Sequence, residues 1–225
     1  MNRERPRLLD LFCGAGGAAM GYHRAGFEVV GVDIHSQPRY PFEFHQADAM
    51  EYVEEHGQEF DAIHASPPCQ PYSRIRKLTI SQDRARGYPE LIETTRSVLR
   101  GLGKPYVIES VEGAPLLTPI VLCGSAFGLG VQRHRLFECS FGLLYPICNH
   151  RVWKIPRPPL HRRHGTSRVV GCYGHGRGKG DNVALWREAI GIDWMTRVEL
   201  SQAIPPAYTE FIGKHLIQCY GRDLS

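Results

Sequence analysis

The stretch Ala65-Ser66-Pro67-Pro68-Cys69-Gln70-Pro71-Tyr72-Ser73 sets one thiol among three prolines. Pyrrolidine rings fix φ, so the backbone on both sides of Cys69 is stiff. The apolar-rich run before it, Phe60-Asp61-Ala62-Ile63-His64, reads as a buried parallel strand. Cys69 then stands in the loop at that strand's C-terminal end, the edge at which open α/β sheets place their chemistry. A rigid polar loop is a poor place to bury a thiol as a small hydrophobe and a good place to aim one. Cys69 is the candidate nucleophile.

Two further groups belong with it. Lys104-Pro105-Tyr106-Val107-Ile108 is a second buried strand closing on Glu109, a carboxyl at the same sheet edge that can lie beside Cys69 despite its distance in sequence. Val131 to Phe137 reads as a strand carrying Gln132, Arg133 and Arg135. Arginines at i and i+2 share one face, which suits clamping an anion or a base edge.

Earlier in the chain, the apolar strand Arg7–Phe12 runs into Cys13-Gly14-Ala15-Gly16-Gly17, and a helix follows to about Ala25, stopped by Gly26. Strand, glycine turn and helix form the nucleotide-binding opening of a doubly wound sheet. The next strand, Glu28–Val32, closes on Asp33, where a carboxylate can accept both hydroxyls of a ribose. Phe44–Ala47 closes on Asp48, placed to meet an adenine edge. The turn offers no Lys or Arg for a pyrophosphate, so the expected ligand is a phosphate-free adenosine compound. Helices are expected over 48–56, 88–102, 182–190 and 196–202, and a last one from Pro205-Pro206 to Tyr220. Arg74–Gly87 is polar and strongly charged, and reads as a mobile loop beyond the nucleophile.

The 225 residues suffice for a sizeable core, and the formal net charge is +4. The basic excess is local: Cys139–Gly180 carries eight Lys/Arg, four histidines and no acid, together with many prolines and glycines. Such a segment is expected to be loop-rich and to contact phosphates. No apolar run approaches the ~20 residues of a membrane span, and the start lacks the apolar segment of a signal peptide. Seven unpatterned cysteines point to a reducing compartment rather than a disulfide framework. Cytoplasmic location is the expectation.

In order along the chain, these motifs resemble those of the cytosine-5 methyltransferases that use S-adenosylmethionine. Asp10–Gly17 is similar to the family's first motif, Pro67-Pro68-Cys69-Gln70 to its nucleophile loop and Glu109-Ser110-Val111 to its Glu-Asn-Val. Gln132–Arg135 is similar to its Gln-Arg-x-Arg, and Ile204–Gly213 to its closing motif. The resemblance implies an α/β, doubly wound, Rossmann-like methyltransferase sheet with a small, loop-rich recognition segment. Its divisions would be a catalytic domain over 1–138, a basic recognition segment over 139–180 and C-terminal helices over 181–225 that return to the catalytic domain. The implied catalytic set is Cys69, Glu109, Arg133 and Arg135. The implied cofactor set is Asp10, Phe12, Gly14, Gly16, Gly17, Asp33, Ile34, Asp48, Ala49, Pro67 and Tyr208.

The implied reaction is attack of the Cys69 thiolate on C6 of a flipped-out cytosine in duplex DNA, with Glu109 stabilising charge at N3. C5 then takes the methyl group, leaving S-adenosylhomocysteine as the product. A monomer is expected, with a helper protein for target recognition as an option given the short segment. The compact size points to a phage or bacterial setting, with or without a restriction partner. Two residues depart from the family pattern: Ser110 stands where asparagine helps hold the nucleophile loop, and Gln202 where many members carry asparagine. The rival readings are an RNA cytosine-5 methyltransferase and a DNA-binding homologue weakened by Ser110. Cys148-Asn149-His150 and His161-Arg162-Arg163-His164 offer metal-binding side chains at unusual spacings, and no metal is assigned to them.

Overall fold

Strands β1 (Arg7–Leu11) and β2 (Glu28–Asp33) bury Leu8, Leu9 and Leu11, and Val29, Val30 and Val32, without the alternation of a half-exposed strand. That pattern belongs to strands covered on both faces. The computed structural model, which describes residues 5–68, 91–148, 170–172 and 183–220, adds β3 (Glu43–Gln46), β4 (Ala62–Ala65), β5 (Tyr106–Ser110), β6 (Ile120–Leu122) and β7 (Arg135–Cys139). The order is β3-β2-β1-β4-β5-β7-β6. The first five strands pair in parallel, and β7 runs antiparallel to both neighbours.

The chain builds outward from β1 on one side and resumes at β4 on the other, so the switch point lies between those two strands. Register decides what meets there. Leu11 pairs with Ala65, and Ala65 with Ile108. The residues just beyond those three, at 12–13, 66–67 and 109–110, therefore emerge together at one edge.

One face of the sheet is covered by α1 (Gly17–Ala25) and α6 (Pro206–Tyr220), packed around Leu8, Val29, Tyr22, Tyr208 and Ile212. The two helices approach closely because of Gly21, where a Cβ would fall 2.0 Å from Thr209 Oγ1 and 2.2 Å from the Pro206 carbonyl. Thr209 Oγ1 donates to the Ala18 carbonyl at 2.8 Å across the same contact. The other face carries α2 (Ala49–His56) and α3 (Ile92–Leu102), around Leu9, Val30, Val53, Ile63 and Leu99. A third cluster of Val131, Trp186, Ile190, Met195 and Leu200 seats α4 (Val183–Ile190) and α5 (Arg197–Gln202) at the edge of the sheet.

The helical expectations match these elements to within a residue or so, except that α3 begins at Ile92, with the residues before 91 outside those described. β7 starts at Arg135, not Val131. The backbone of 130–133 bonds elsewhere, since Val170 N–H donates to the Gly130 carbonyl at 2.7 Å and the Tyr208 hydroxyl to the Arg133 carbonyl at 2.5 Å.

Two polar features lock this frame. Arg96 on α3 and Glu138 on β7 form a buried bidentate pair, Nε to Oε1 at 2.8 Å and Nη2 to Oε2 at 2.9 Å. Pro115 O and Leu117 N–H complete the shells of the two groups. Removing one partner leaves the other charge buried without compensation. Arg96→Ala is expected to cost on the order of 3–5 kcal/mol in urea unfolding, far more than an exposed ion pair would.

His64, fully buried on β4, lies between the Tyr22 hydroxyl (3.0 Å, Nδ1) and Ser66 Oγ (2.9 Å, Nε2). Burial penalises its cation and drops the imidazole from the ordinary 6.5 to about 3. Below its ordinary value the unfolded chain takes up a proton that the folded chain refuses. The stability this neutral ring contributes is thus whole above pH 6.5 and lost as pH falls toward about 3, by up to about 1.4 kcal/mol per pH unit. Urea unfolding at about pH 7 and about pH 5 should show that slope, and His64→Gln should flatten it. Equal slopes in the two proteins would rule out the neutral ring as its source.

Candidate active site

A cavity of about 370 Å³ opens at the edge that the strand register defines. Its walls are Asp10, Phe12 and Gly14 of the β1 turn, Ser66-Pro67-Pro68 after β4, Glu109 of β5, Arg135 of β7, and Glu199 and Ser201 to Ile204 around the end of α5. Of the expected set, Asp10, Phe12, Gly14, Gly17, Pro67, Glu109 and Arg135 line this one space. Cys69 follows Pro68 directly and lies outside the described residues, as do Arg74–Gly87 and most of the basic stretch over 139–180, at 149–169 and 173–180. A wider hollow of about 560 Å³, among Arg100, Lys104 and Ser140 at the other end of β5, holds none of the expected groups.

The glycine turn is tied from several sides. Gly14 N–H donates to Asp33 Oδ2 at 3.0 Å, Cys13 N–H to the Val32 carbonyl at 3.1 Å, and Trp194 Nε1–H to the Ala15 carbonyl at 2.9 Å. Phe12 is held at φ 56, a left-handed conformation that costs a non-glycine residue roughly 1–2 kcal/mol. Its ring packs against the Leu9–Val30 cluster. Gly16 caps α1 at φ 84, where a Cβ would also lie 2.8 Å from Pro41 Cδ.

Asp10 is fully buried beneath this turn. Burial, then the nearby Asp33, push its carboxyl well above the usual range; Tyr40 and the Ala19 amide lie close enough to oppose that weakly. Neither carboxylate oxygen makes a full hydrogen bond among the described residues. A ligand that brings an amine cation to this wall would supply the missing donors.

At the opposite wall Arg135 Nε lies 3.0 Å from Glu109 Oε1, both side chains largely buried. Burial raises the Glu109 carboxyl above its ordinary value, while Arg135, Arg133 and Ser66 pull it back down. Ser66 is in turn bonded to His64, and His64 to Tyr22, so a polar chain runs from α1 under the start of the Cys69 loop to Glu109. Next to Glu109, the Ser110 hydroxyl is buried with no hydrogen-bond partner among the described residues.

Several expected residues sit differently. Arg133 points away from the cavity, buried, with Nη1 donating to the Cys172 carbonyl at 3.0 Å and Nη2 to the Ser201 carbonyl at 2.7 Å. It clamps the loop instead of sharing a face with Arg135, because β7 begins only at Arg135 and no strand geometry aligns the two. Tyr208 is not at the cofactor wall either: it is buried against Phe127 and Phe137 and holds the Arg133 backbone from behind. Asp48 is the N-cap of α2, its Oδ1 accepting from Met50 and Glu51 N–H at 2.8 and 3.2 Å, and Ala49 is buried in the core behind it. Both Asp33 oxygens accept from backbone N–H groups, of Gly14 and His35. Ile34 is 60% exposed beside it, an apolar surface next to the turn.

The sequence reading missed the polar chain through His64 and the clasp at the cavity mouth. There Arg39 grips Glu199 in a bidentate pair at 2.7–3.1 Å. That pairing, chiefly its hydrogen bond, pulls the Glu199 carboxyl down to about 2. Thr196 and Glu199 also form a capping box on α5, a signal legible as Thr-x-x-Glu; the partnership with Arg39, 160 positions away, is not.

Residues 6–100 match the family model of C-5 cytosine-specific DNA methylases. The type II methyltransferase M.AquIA of Picosynechococcus is 27% identical over 207 residues, covering 75% of this chain and 82% of the relative. M.FnuDI of Fusobacterium nucleatum is 29% identical over 115 residues, covering 48% of this chain; the match spans only 33% of that relative's length. Among solved structures, the S. pombe Dnmt2 methyltransferase superposes with a TM-score of 0.57 over 93% of this chain and 98% of its own, at 14% identity, a likeness of fold. The matched residues carry the glycine turn, the Asp33 strand end and the Pro67-Pro68 wall of this cavity, and over residues 6–100 the chain is similar to the C-5 cytosine-specific DNA methylases.

Proposed function

We infer that the protein transfers a methyl group from S-adenosylmethionine to C5 of cytosine in double-stranded DNA, acting as a monomer. One observation carries this reading: a single cavity joins the wall at Asp10 and the glycine turn to the wall at Pro68, Glu109 and Arg135. A donor and a base need such a shared space if they are to meet. The under-bonded Asp10 carboxyl and the exposed Ile34 fit the amino acid and adenosine ends of the donor. When bound, that group supplies an electrophilic methyl; every other requirement falls to the chain.

Cys69, one residue beyond the Pro67-Pro68 wall, adds as thiolate to C6 of a base taken out of the stack. The C5–C6 double bond is consumed and its electrons move toward N3. Glu109 holds the proton that meets this charge, and its burial suits the protonated form. Arg135 keeps Glu109 aimed and adds positive charge beside the thiolate. Once C5 carries the methyl group, loss of the C5 proton and β-elimination of Cys69 close the cycle. In this reading residues 1–138 do the chemistry, 139–180 grip DNA and 181–225 brace the cofactor wall.

The test is transfer of labelled methyl from S-adenosylmethionine to duplex DNA and, in parallel, to tRNA, with bisulfite sequencing of the DNA product. Label in DNA, and loss of it in Cys69→Ser with donor binding retained, is the expected result. Undiminished transfer by Cys69→Ser sinks the nucleophile, and label in tRNA alone sinks the DNA substrate. Glu109→Gln should lower kcat by about 10²–10⁴-fold with little change in donor affinity.

The buried Ser110 hydroxyl, with no hydrogen-bond partner among the described residues, favours a second reading, a DNA-binding homologue with weak transfer. A serine hydroxyl is shorter than the asparagine carboxamide that in the family reaches the nucleophile loop, and here it has no hydrogen-bond partner among the described residues. On that reading Ser110→Asn raises kcat severalfold at a stability cost of about 1–3 kcal/mol for the added volume. Unchanged kcat in the folded variant would remove Ser110 as the cause of any slowness.

A further inference from the structure

Outside the cavity, three metal-binding side chains converge from separate stretches of chain. Cys123 follows β6, His134 precedes β7, and Cys148 lies beyond β7. One ligand atom from each lies within 4.8 Å of the other two, and Cys148 Sγ is 3.6 Å from His134 Nε2. Neither cysteine is in a disulfide. Zinc bonds of about 2.3 Å to sulfur and 2.0–2.1 Å to nitrogen, at the tetrahedral angle, set such ligands about 3.6 Å apart. Two thiols and an imidazole, one of them fully buried and two partly, are a soft donor set that suits zinc and not magnesium or calcium.

We propose that Cys123, His134 and Cys148 are ligands of a structural zinc ion, the fourth position being taken by water or a further donor. The neighbourhood gives the ion a task. His134 stands between Arg133 and Arg135. The chain leaves the sheet past Cys148 and returns at Val170–Cys172, which is bonded back to Gly130 and Arg133 at 2.7 and 3.0 Å. The described residues on either side of 149–169 thus meet the loop over 130–134. The ion pins the outgoing end, as hydrogen bonds pin the returning one. That the pinned segment grips DNA rests on the function proposed above; the metal site does not.

The full-length chain, purified under reducing conditions without chelator, should carry about one zinc per molecule by elemental analysis. After metal removal, cobalt(II) should give a sulfur-to-cobalt charge-transfer band and the strong visible bands of a tetrahedral thiolate site. Cys148→Ser and Cys123→Ser, checked for folding by circular dichroism, should each weaken that charge-transfer band and bind zinc at least about tenfold more weakly. Cys148→Ser carries the test if the buried Cys123 variant fails to fold. Metal-free protein without a thiolate–cobalt band overturns the proposal and leaves a thiol–imidazole hydrogen-bond cluster. Zinc held undiminished by Cys148→Ser overturns the ligand assignment. No arm of this experiment uses DNA or the methyl donor, so a failure of the proposed transfer reaction is distinguishable from a failure here.

Discussion

The in-register parallel pairing of β1, β4 and β5 is the constraint on which the site depends. Backbone ladders fix Leu11 beside Ala65 and Ala65 beside Ile108. A slip of one residue would turn each buried side chain to the opposite face of the sheet. Those strands are buried on both faces, and a slip would also carry Asp10, His64 and Glu109 to the other face. The turn after β1, the loop after β4 and the carboxyl ending β5 are brought to one edge as a consequence.

Around that edge the protein holds polar groups where water cannot reach, and each is managed differently. Glu109 is buried but faces arginine, so its proton affinity is set by two opposing effects of its surroundings. Asp10 is buried with little local compensation, which marks it as a partner for something the chain does not itself provide. His64 is kept neutral and spent on orientation, linking α1 to Ser66, the first residue after β4. Arg96 and Glu138 satisfy one another with help from the Pro115 carbonyl and the Leu117 amide, and serve the frame.

The C-terminal helices close the arrangement. α6 packs on α1 through Gly21 and Thr209, and its Tyr208 reaches the Arg133 carbonyl. Arg133 in turn spans Cys172 and Ser201, so the returning end of the basic segment, the arginine loop and the end of α5 form one connected unit. The clasp of Arg39 on Glu199 joins that unit to the strand-end loops of the first half of the chain.

Much of this was legible in the residues. Apolar runs ending at Phe12, Asp33, His64 and Glu109, a glycine turn and a proline-bounded thiol specify a doubly wound sheet and the edge on which its chemistry sits. These are local signals: strand length, turn type and cap each follow from a few neighbouring side chains. What the residues did not reveal is which polar group faces which. Arg133 and Arg135 are alike in sequence, yet one clamps carbonyls in the interior and the other meets Glu109, because the strand starts only at the second. Asp48 carries a chemically sufficient carboxyl that its own helix occupies. Cys123, His134 and Cys148 sit at no familiar metal spacing and meet only because β6 and β7 are adjacent and the following chain doubles back. Sequence spacing encodes contacts within an element, whereas contacts between elements are decided by packing, and packing was settled only in the tertiary structure.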